Sequence, residues 1–278
     1  MGYFKILRPA NLEFVAVCVF LGAYYPLFQQ AGEFWQVMAA AFSAMLIAGA
    51  GYVINDYYDL ETDMINKPQR VLPSGKMSSR AAFIYGIILF IIGIILSYFT
   101  GSVICILLAF VNAIALFLYA GIFKRAFVSG NLLVSYAAAS TFVYGAIVTD
   151  NLSQSLIIAF FAFLYTFLRE IIKDMEDRRG DQLTGAHTLA LSWKKSQVLA
   201  LFLVTVMLMI AGCGIFFMKQ LIDYPVFALL MFFVILPLLI FYRILSTLEN
   251  ETVYRKISRL MKFDMLILLV IFIIGNKL

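Results

Sequence analysis

The chain has 278 residues, of which 63% are hydrophobic and 13% charged, and its mean hydropathy is +0.95. A soluble domain carries roughly 25% charged and 45–50% apolar residues, so this composition excludes a soluble globular protein and fits a chain built for lipid. The formal net charge of +5 could suggest nucleic acid, but the basic residues are placed as membrane-orientation signals, and no nucleic-acid partner is expected.

The opening Lys5-Ile6-Leu7-Arg8-Pro9 runs directly into a stretch long enough to span, which reads as a retained first helix and not a cleaved signal peptide. About 20 mostly apolar residues cross a bilayer. By that measure the chain reads as nine spans, at about 12–28, 34–56, 81–99, 103–123, 130–148, 153–173, 196–218, 225–243 and 260–276. The connections after spans one, three and five are short and nearly free of Lys and Arg; those after spans two, four, six and eight carry the basic residues. With the N-terminus in the cytoplasm, all of the 21 Lys and Arg residues except Lys219 and Lys277 fall on the cytoplasmic side. The expectation is an all-α, multi-pass protein of the cell (inner or plasma) membrane, read as one domain over 1–278. Its N-terminus would be inside and its C-terminus outside. Cys18, Cys105 and Cys213 lie within apolar runs, without C-x-x-C spacing, and read as buried thiols.

The second span gives way abruptly to Asn55-Asp56-Tyr57-Tyr58-Asp59-Leu60-Glu61-Thr62-Asp63, followed by Asn66-Lys67-Pro68-Gln69-Arg70 and Leu72-Pro73-Ser74-Gly75. Asn55, Asp59 and Asp63 are spaced i, i+4, i+8 and share a face if the helix continues. The sixth span ends in Arg169-Glu170-Ile171-Ile172-Lys173-Asp174-Met175-Glu176-Asp177-Arg178-Arg179-Gly180-Asp181. There Glu170, Asp174, Asp177 and Asp181 keep within a stripe about 60° wide, unless Gly180 ends the helix before Asp181. Spans two and six are four apart and run in the same direction. This suggests two similarly arranged four-helix halves plus a ninth helix, with both acidic ends cytoplasmic and facing each other.

Carboxylates so crowded repel one another without a cation. Mg²⁺ takes hard oxygen ligands, usually one or two carboxylates together with substrate phosphates, so two acidic faces point to two Mg²⁺ ions on one diphosphate. Neutralising a departing pyrophosphate lowers the barrier to breaking an allylic C–O bond. Lys67, Arg70, Lys124, Arg125 and Lys173 are available to take up the leaving group's charge, and no Walker sequence or Gly-rich phosphate loop is present. A charged helix end with i, i+4 pairs explains either cluster alone, but explains both together less well. A cation-coupled transporter is the competing class, although transporters place ionisable residues near mid-membrane.

Asn112 and Asn11 are open to two readings, a hydrogen bond to a neighbouring helix or a place in an active chamber. Most of the 27 Phe and 15 Tyr residues pack or face lipid. Tyr57, Tyr58, Tyr119, Tyr136 and Tyr144 are candidates to line a tunnel and stabilise a carbocation. His187 reads as a loop residue with a local hydrogen bond. Arg178, Arg179, Lys194 and Lys195 read as membrane-surface charges or as a phosphate site for the acceptor.

Asn-Asp-x-x-Asp-x-x-x-Asp after the second span, with Asn-Lys-Pro-x-Arg and Leu-Pro-Ser-Gly behind it, resembles the UbiA superfamily of intramembrane prenyltransferases. Lys-Asp-x-Glu-Asp-x-x-Gly-Asp is similar to that family's second aspartate motif. The likeness extends to Arg8-Pro9 with Asn11 and to Tyr119–Asn131, and so covers essentially the whole chain. It implies a UbiA-like fold, Mg²⁺ as cofactor, and a polyprenyl diphosphate and a lipophilic acceptor as substrates, with no obligatory protein partner. Position by position, it places Asn55, Asp56, Asp59 and Asp63 at a first Mg²⁺ and Asp174, Asp177 and Asp181 at a second, with Glu170 and Tyr119 nearby. Asp59, Asp63, Asp177 and Asp181 would be catalytic, and Asn55, Arg70, Lys67, Lys124, Lys173 and Arg8 would serve the diphosphate. The tail of the first motif and the run Arg169–Asp177 favour the branch that geranylgeranylates a glyceryl phosphate ether, although Val71 stands where that branch commonly has Pro. An aromatic, quinone-precursor or chlorophyllide-type acceptor remains the alternative.

Overall fold

A computed structural model describes residues 2–23, 31–183, 185 and 187–275, without the side chains of 31, 32, 65, 66, 125, 179, 180 and 183. The far ends of the first and last predicted spans (24–28 and 276) and the side chains of Asn66, Arg125 and Arg179 lie outside these described residues. The helices are α1 (Gly2–Lys5), α2 (Pro9–Gly22), α3 (Ala31–Tyr58), α4 (Leu60–Asn66), α5 (Ser79–Ser97), α6 (Val103–Gly121), α7 (Ser129–Thr149) and α8 (Leu152–Leu183). They continue with α9 (Leu189–Ser192), α10 (Lys195–Met218), α11 (Tyr224–Leu230), α12 (Leu236–Thr247) and α13 (Glu251–Gly275). No strand occurs among the described residues.

Seven helical stretches are long and apolar enough to cross a bilayer: Glu33–Tyr58, Ser79–Thr100, Val103–Gly121, Ser129–Thr149, Leu152–Arg178, Lys195–Met218 and Tyr224–Thr247. The expected nine is thus approximate. α2 has 14 described residues, short of a span, and α13 is 25 residues long but highly charged in its first half. The stretch from Tyr224 to Thr247 is one path with a π-turn at Met231–Ile235 between α11 and α12. Pro237 lies two residues beyond it; lacking an N–H, it cannot bond four residues back, and the wider turn lies where that ladder is interrupted.

Two points that the sequence leaves open are decided locally. Gly180 does not end the sixth helix, and α8 runs through it to Leu183, because one glycine costs only about 1 kcal/mol against a continuous hydrogen-bond ladder. The second helix does not continue smoothly through the first motif: α3 stops at Tyr58, and Asp59 (φ −86°, ψ −1°) caps the short α4.

The chain divides into two compact units. Unit 1 comprises Met1–Lys124 and Tyr136–Ala159, so most of α7 belongs with the first helices. α3 is its centre, packing on α2, α5 and α6. The contact is close because small residues face bulky ones: a Cβ on Gly86 would lie 2.7 Å from Ile54 Cδ1, and one on Gly93 2.7 Å from Ile47 Cγ1. The matching seven-residue steps mark antiparallel helices in register. A tighter crossing joins α2 to α7, where a Cβ on Gly22 would meet the Phe142 carbonyl at 1.9 Å and one on Gly145 the Val19 carbonyl at 1.9 Å. Glycines let helix backbones approach where lipid supplies little hydrophobic drive. Isoleucines at 84, 88, 91, 92 and 95 of α5 stay exposed, as a lipid-facing stripe should.

Unit 2 comprises Arg125–Ser135 and Phe160–Leu278. α8 supplies Phe161, Tyr165, Leu168, Ile171 and Ile172, all 0% exposed, and α10 supplies Phe202, Val206, Met209 and Cys213, also 0%. α10 packs on α11 and α12, and α11 on α13.

Candidate functional site

In unit 1 the break after Tyr58 bends the chain without losing its ladder: Asp59 N donates to Asn55 O at 3.0 Å and Asp63 N to Asp59 O at 2.8 Å. Asn55, Asp59 and Asp63 therefore keep near-helical spacing, and Asn55 Nδ2 donates to Asp59 Oδ2 at 2.8 Å. The carboxylates are strongly shielded, with side chains 7% (Asp56), 13% (Asp59) and 5% (Asp63) exposed. A desolvated carboxylate needs a partner, and each has a cation. Arg8 Nη2 reaches Asp56 Oδ1 at 2.5 Å, Arg70 Nη1 reaches the same oxygen at 3.3 Å and Asp63 Oδ2 at 2.6 Å, and Lys124 Nζ is bonded to Asp59 Oδ2.

Local chain geometry delivers these cations. Arg8 caps α2 in the left-handed region (φ 57°), and its guanidinium lies 5.0 Å from the Tyr52 ring centroid. Arg70 sits in a run of turns in which Ser74 N bonds Arg70 O and Lys76 N bonds Val71 O, at 3.0 and 3.1 Å. Gly75 there adopts φ +71°, which glycine tolerates and L side chains resist. Val71, Leu72 and Met77 anchor the loop in the core. Lys124 follows the end of α6, where Gly121 lets the Tyr58 ring approach; a Cβ there would lie 3.2 Å from it. Lys67 is exposed and Tyr119 half-buried.

In unit 2 all four predicted acids lie on α8. Glu170 is buried and takes both Arg169 (3.2 Å) and Lys173 (2.7 Å). Asp174 accepts from Asn131 Nδ2 at 2.8 Å; Asp177 is exposed and Asp181 half-buried. Glu176, off the stripe, pairs with Arg255 at 3.1 Å.

Among the described residues, no three His, Cys, Asp or Glu side chains stand ready to enclose a metal. The donor chemistry nevertheless fits Mg²⁺. The oxygens are hard, and this ion usually needs only one or two carboxylates when phosphates and water complete its shell. The positive groups on Asp56, Asp59 and Asp63 show that the cluster requires cationic charge.

Sequence reasoning missed Asn131, Tyr52 and a buried pair in which Tyr165 OH donates to Asp264 Oδ2 at 3.2 Å. A polar residue in an apolar run was the available signal for Asn131 and Asp264. Asn112 accepts from Ser140 Oγ of α7 at 3.2 Å, the helix–helix bond of its two readings. His187 is exposed.

This fold and its motifs define an integral-membrane enzyme. Residues 14–266 match the UbiA prenyltransferase family, and the chain belongs to it; it is a prenyltransferase. It is 34% identical to the digeranylgeranylglyceryl phosphate synthase of Methanosphaera stadtmanae over 98% of both chains. It is 37% identical to that of Saccharolobus solfataricus over 91% of this chain and 88% of the other. A solved structure described as giving insights into digeranylgeranylglyceryl phosphate synthase in membranes matches with TM-score 0.85 at 28% identity, covering 100% of this chain and 98% of that one. A UbiA homolog from Archaeoglobus fulgidus, bound to DMAPP and Mg²⁺, shares the fold with TM-score 0.71 at 16% identity, over 97% and 99% of the two chains.

Proposed function

We propose that this enzyme transfers a geranylgeranyl group from its diphosphate to the free hydroxyl of geranylgeranylglyceryl phosphate, forming a second ether bond. The observation that carries the reading is full-length similarity to digeranylgeranylglyceryl phosphate synthases, 34% identical over 98% of the chain. The carboxylates of both motifs serve Mg²⁺ and the donor diphosphate. Asn55, Asp56, Asp59 and Asp63 act in unit 1, and Asp174, Asp177 and Asp181 in unit 2 with Glu170 beside them. When bound, Mg²⁺ supplies positive charge against the departing pyrophosphate.

The chain's own cations then have a defined task. Arg8, Arg70 and Lys124, now on carboxylates, would transfer to the phosphate oxygens of a bound diphosphate, and Lys67 adds charge. The allylic C–O bond breaks with its electron pair leaving on pyrophosphate. The acceptor hydroxyl oxygen then attacks the allylic carbon and releases its proton to a carboxylate or to pyrophosphate. Tyr119, Tyr57 and Tyr58 supply electron-rich ring faces for the cation. The basic-residue distribution supports a cytoplasmic site with the N-terminus inside and the C-terminus outside.

The test is an acceptor screen with purified enzyme, Mg²⁺ and geranylgeranyl diphosphate. The glyceryl phosphate ether is expected to give pyrophosphate and a diether product. Turnover only with aromatic or quinone-precursor acceptors would overturn the assignment.

A further inference from the structure

Unit 2 holds positive charge beyond what its carboxylate stripe balances. Arg169 and Lys173 are four residues apart on α8 and share a face, yet both ion pairs end on one carboxylate, Glu170. α13 adds Arg259 and Lys262; Arg169, Lys173 and Arg259 act on Lys262 as like charges and Glu176 as an opposite one. The other acids nearby are engaged: Glu176 with Arg255 at 3.1 Å, and Asp264 with the Tyr165 hydroxyl at 3.2 Å. Among the described residues no carboxylate lies within ion-pair distance of Lys262 or Arg259. The Nε–H of Arg169 is buried and has no acceptor. A buried donor without an acceptor beside mutually repelling cations is what remains when an anion with several oxygens is missing.

We propose that Arg169, Lys173 and Lys262, with Arg259 at the rim, bind the phosphate of the acceptor and so select a phosphorylated glyceryl ether over a neutral acceptor. The inference rests on the acceptor class proposed above. A guanidinium fork and ammonium groups suit a phosphomonoester. In a glyceryl phosphate ether the free hydroxyl and the phosphate ester oxygen sit on adjacent carbons, so holding the phosphate also places the hydroxyl close by. Arg169 and Lys173 directly precede Glu170 and Asp174, so a phosphate held there sets that hydroxyl beside the stripe.

Donor diphosphate and bilayer phosphodiesters carry the same phosphate chemistry, and the test separates them. Wild type, Lys262→Gln and Lys262→Arg are placed in nanodiscs of phosphodiester lipid. Binding of geranylgeranylglyceryl phosphate and of geranylgeranylglycerol is measured without donor or metal, followed by the KM of each substrate. Wild type is expected to prefer the phosphorylated ligand by at least about tenfold. Lys262→Gln should lose most of that preference, Lys262→Arg should keep it, and the KM for geranylgeranyl diphosphate should stay within about twofold. Equal binding of both ligands by wild type, an unaffected Lys262→Gln, or a loss confined to the donor KM each overturns the proposal. If turnover proceeds only on neutral acceptors while Lys262 still governs phosphomonoester binding, the phosphate site stands and the acceptor assignment fails.

Discussion

In unit 1 the acids are met by cations from elsewhere in the chain: Arg8 lies 48 residues before Asp56, and Lys124 lies 65 residues after Asp59. In unit 2 the motif acids lie on one helix, and their partners are of mixed origin and not all cationic. Glu170 takes Arg169 and Lys173, Asp174 takes the neutral amide of Asn131, and Asp177 is exposed. The first motif is thus a structural knot as well as a candidate site, since removing a charge there strands another. The second is borne on one long helix whose fully buried residues, Phe161, Tyr165, Leu168, Ile171 and Ile172, do not depend on exposed Asp177. Substitutions in unit 1 should therefore cost stability and activity together, and those in unit 2 mainly activity.

The largest effects are expected from the carboxylates. Asp63→Asn and Asp177→Asn should each lower kcat/KM by about 10²–10³-fold, the scale for losing one charge-stabilising group. Thermal unfolding in detergent should separate them, because Asp177 is exposed and its loss should change stability by less than about 0.5 kcal/mol. Asp63→Asn removes Arg70's closest partner and should lower the midpoint. Equal unfolding midpoints would break the comparison. Asn131→Ala should come next, with a loss of about 10–100-fold in apparent Mg²⁺ affinity, the scale for a residue that orients a metal ligand; magnesium titration of the activity checks it.

The cations of unit 1 give smaller effects, read as stability. Arg70→Ala leaves Asp63 without its cation and should cost about 3 kcal/mol. Arg8→Ala should cost less, because Asp56 keeps Arg70 at 3.3 Å. The left-handed backbone at Arg8 (φ 57°) makes a finer distinction. Arg8→Gly should be milder than Arg8→Ala by about 1 kcal/mol, since glycine occupies that region without a Cβ penalty. Comparison of the two unfolding free energies tests whether the left-handed cap or the ion pair dominates.

Hydropathy made most of the helices legible, because seven of them are apolar on nearly every face. It placed the last helix nine residues late. The segment Glu251–Arg259 is helical but charged, so a window average cannot see it, whereas Asn250, whose Oδ1 accepts from Thr252 N at 3.0 Å, marks the start. Spacing put Glu170, Asp174, Asp177 and Asp181 on one helix, and the acidic motif around Asp59 was legible as a cluster that demands cations. What one sequence did not carry was pairing over distance. Nothing local to Arg8 specifies Asp56, nothing at Asn131 specifies Asp174, and Asp264 in an apolar run gives no hint of Tyr165. Such pairs depend on where helices cross, which no pattern local to either partner specifies.

The Asn112–Ser140 bond separates holding from reacting at the small end of the scale. It joins α6 to α7 at 3.2 Å, and Ser140 Oγ also donates to Ala137 O on its own helix at 2.9 Å. Ser140 therefore has a second acceptor when Asn112 is removed, and interhelical polar contacts in membranes average only about 0.6 kcal/mol. A double-mutant cycle of Asn112→Leu and Ser140→Ala should give a coupling near that value, with kcat/KM changed by less than about threefold. A large loss of turnover from Asn112→Leu alone would mean that Asn112 faces the reacting substrates. Reactive polar groups in unit 1 would then extend up α6, away from the Asp59–Lys124 pair.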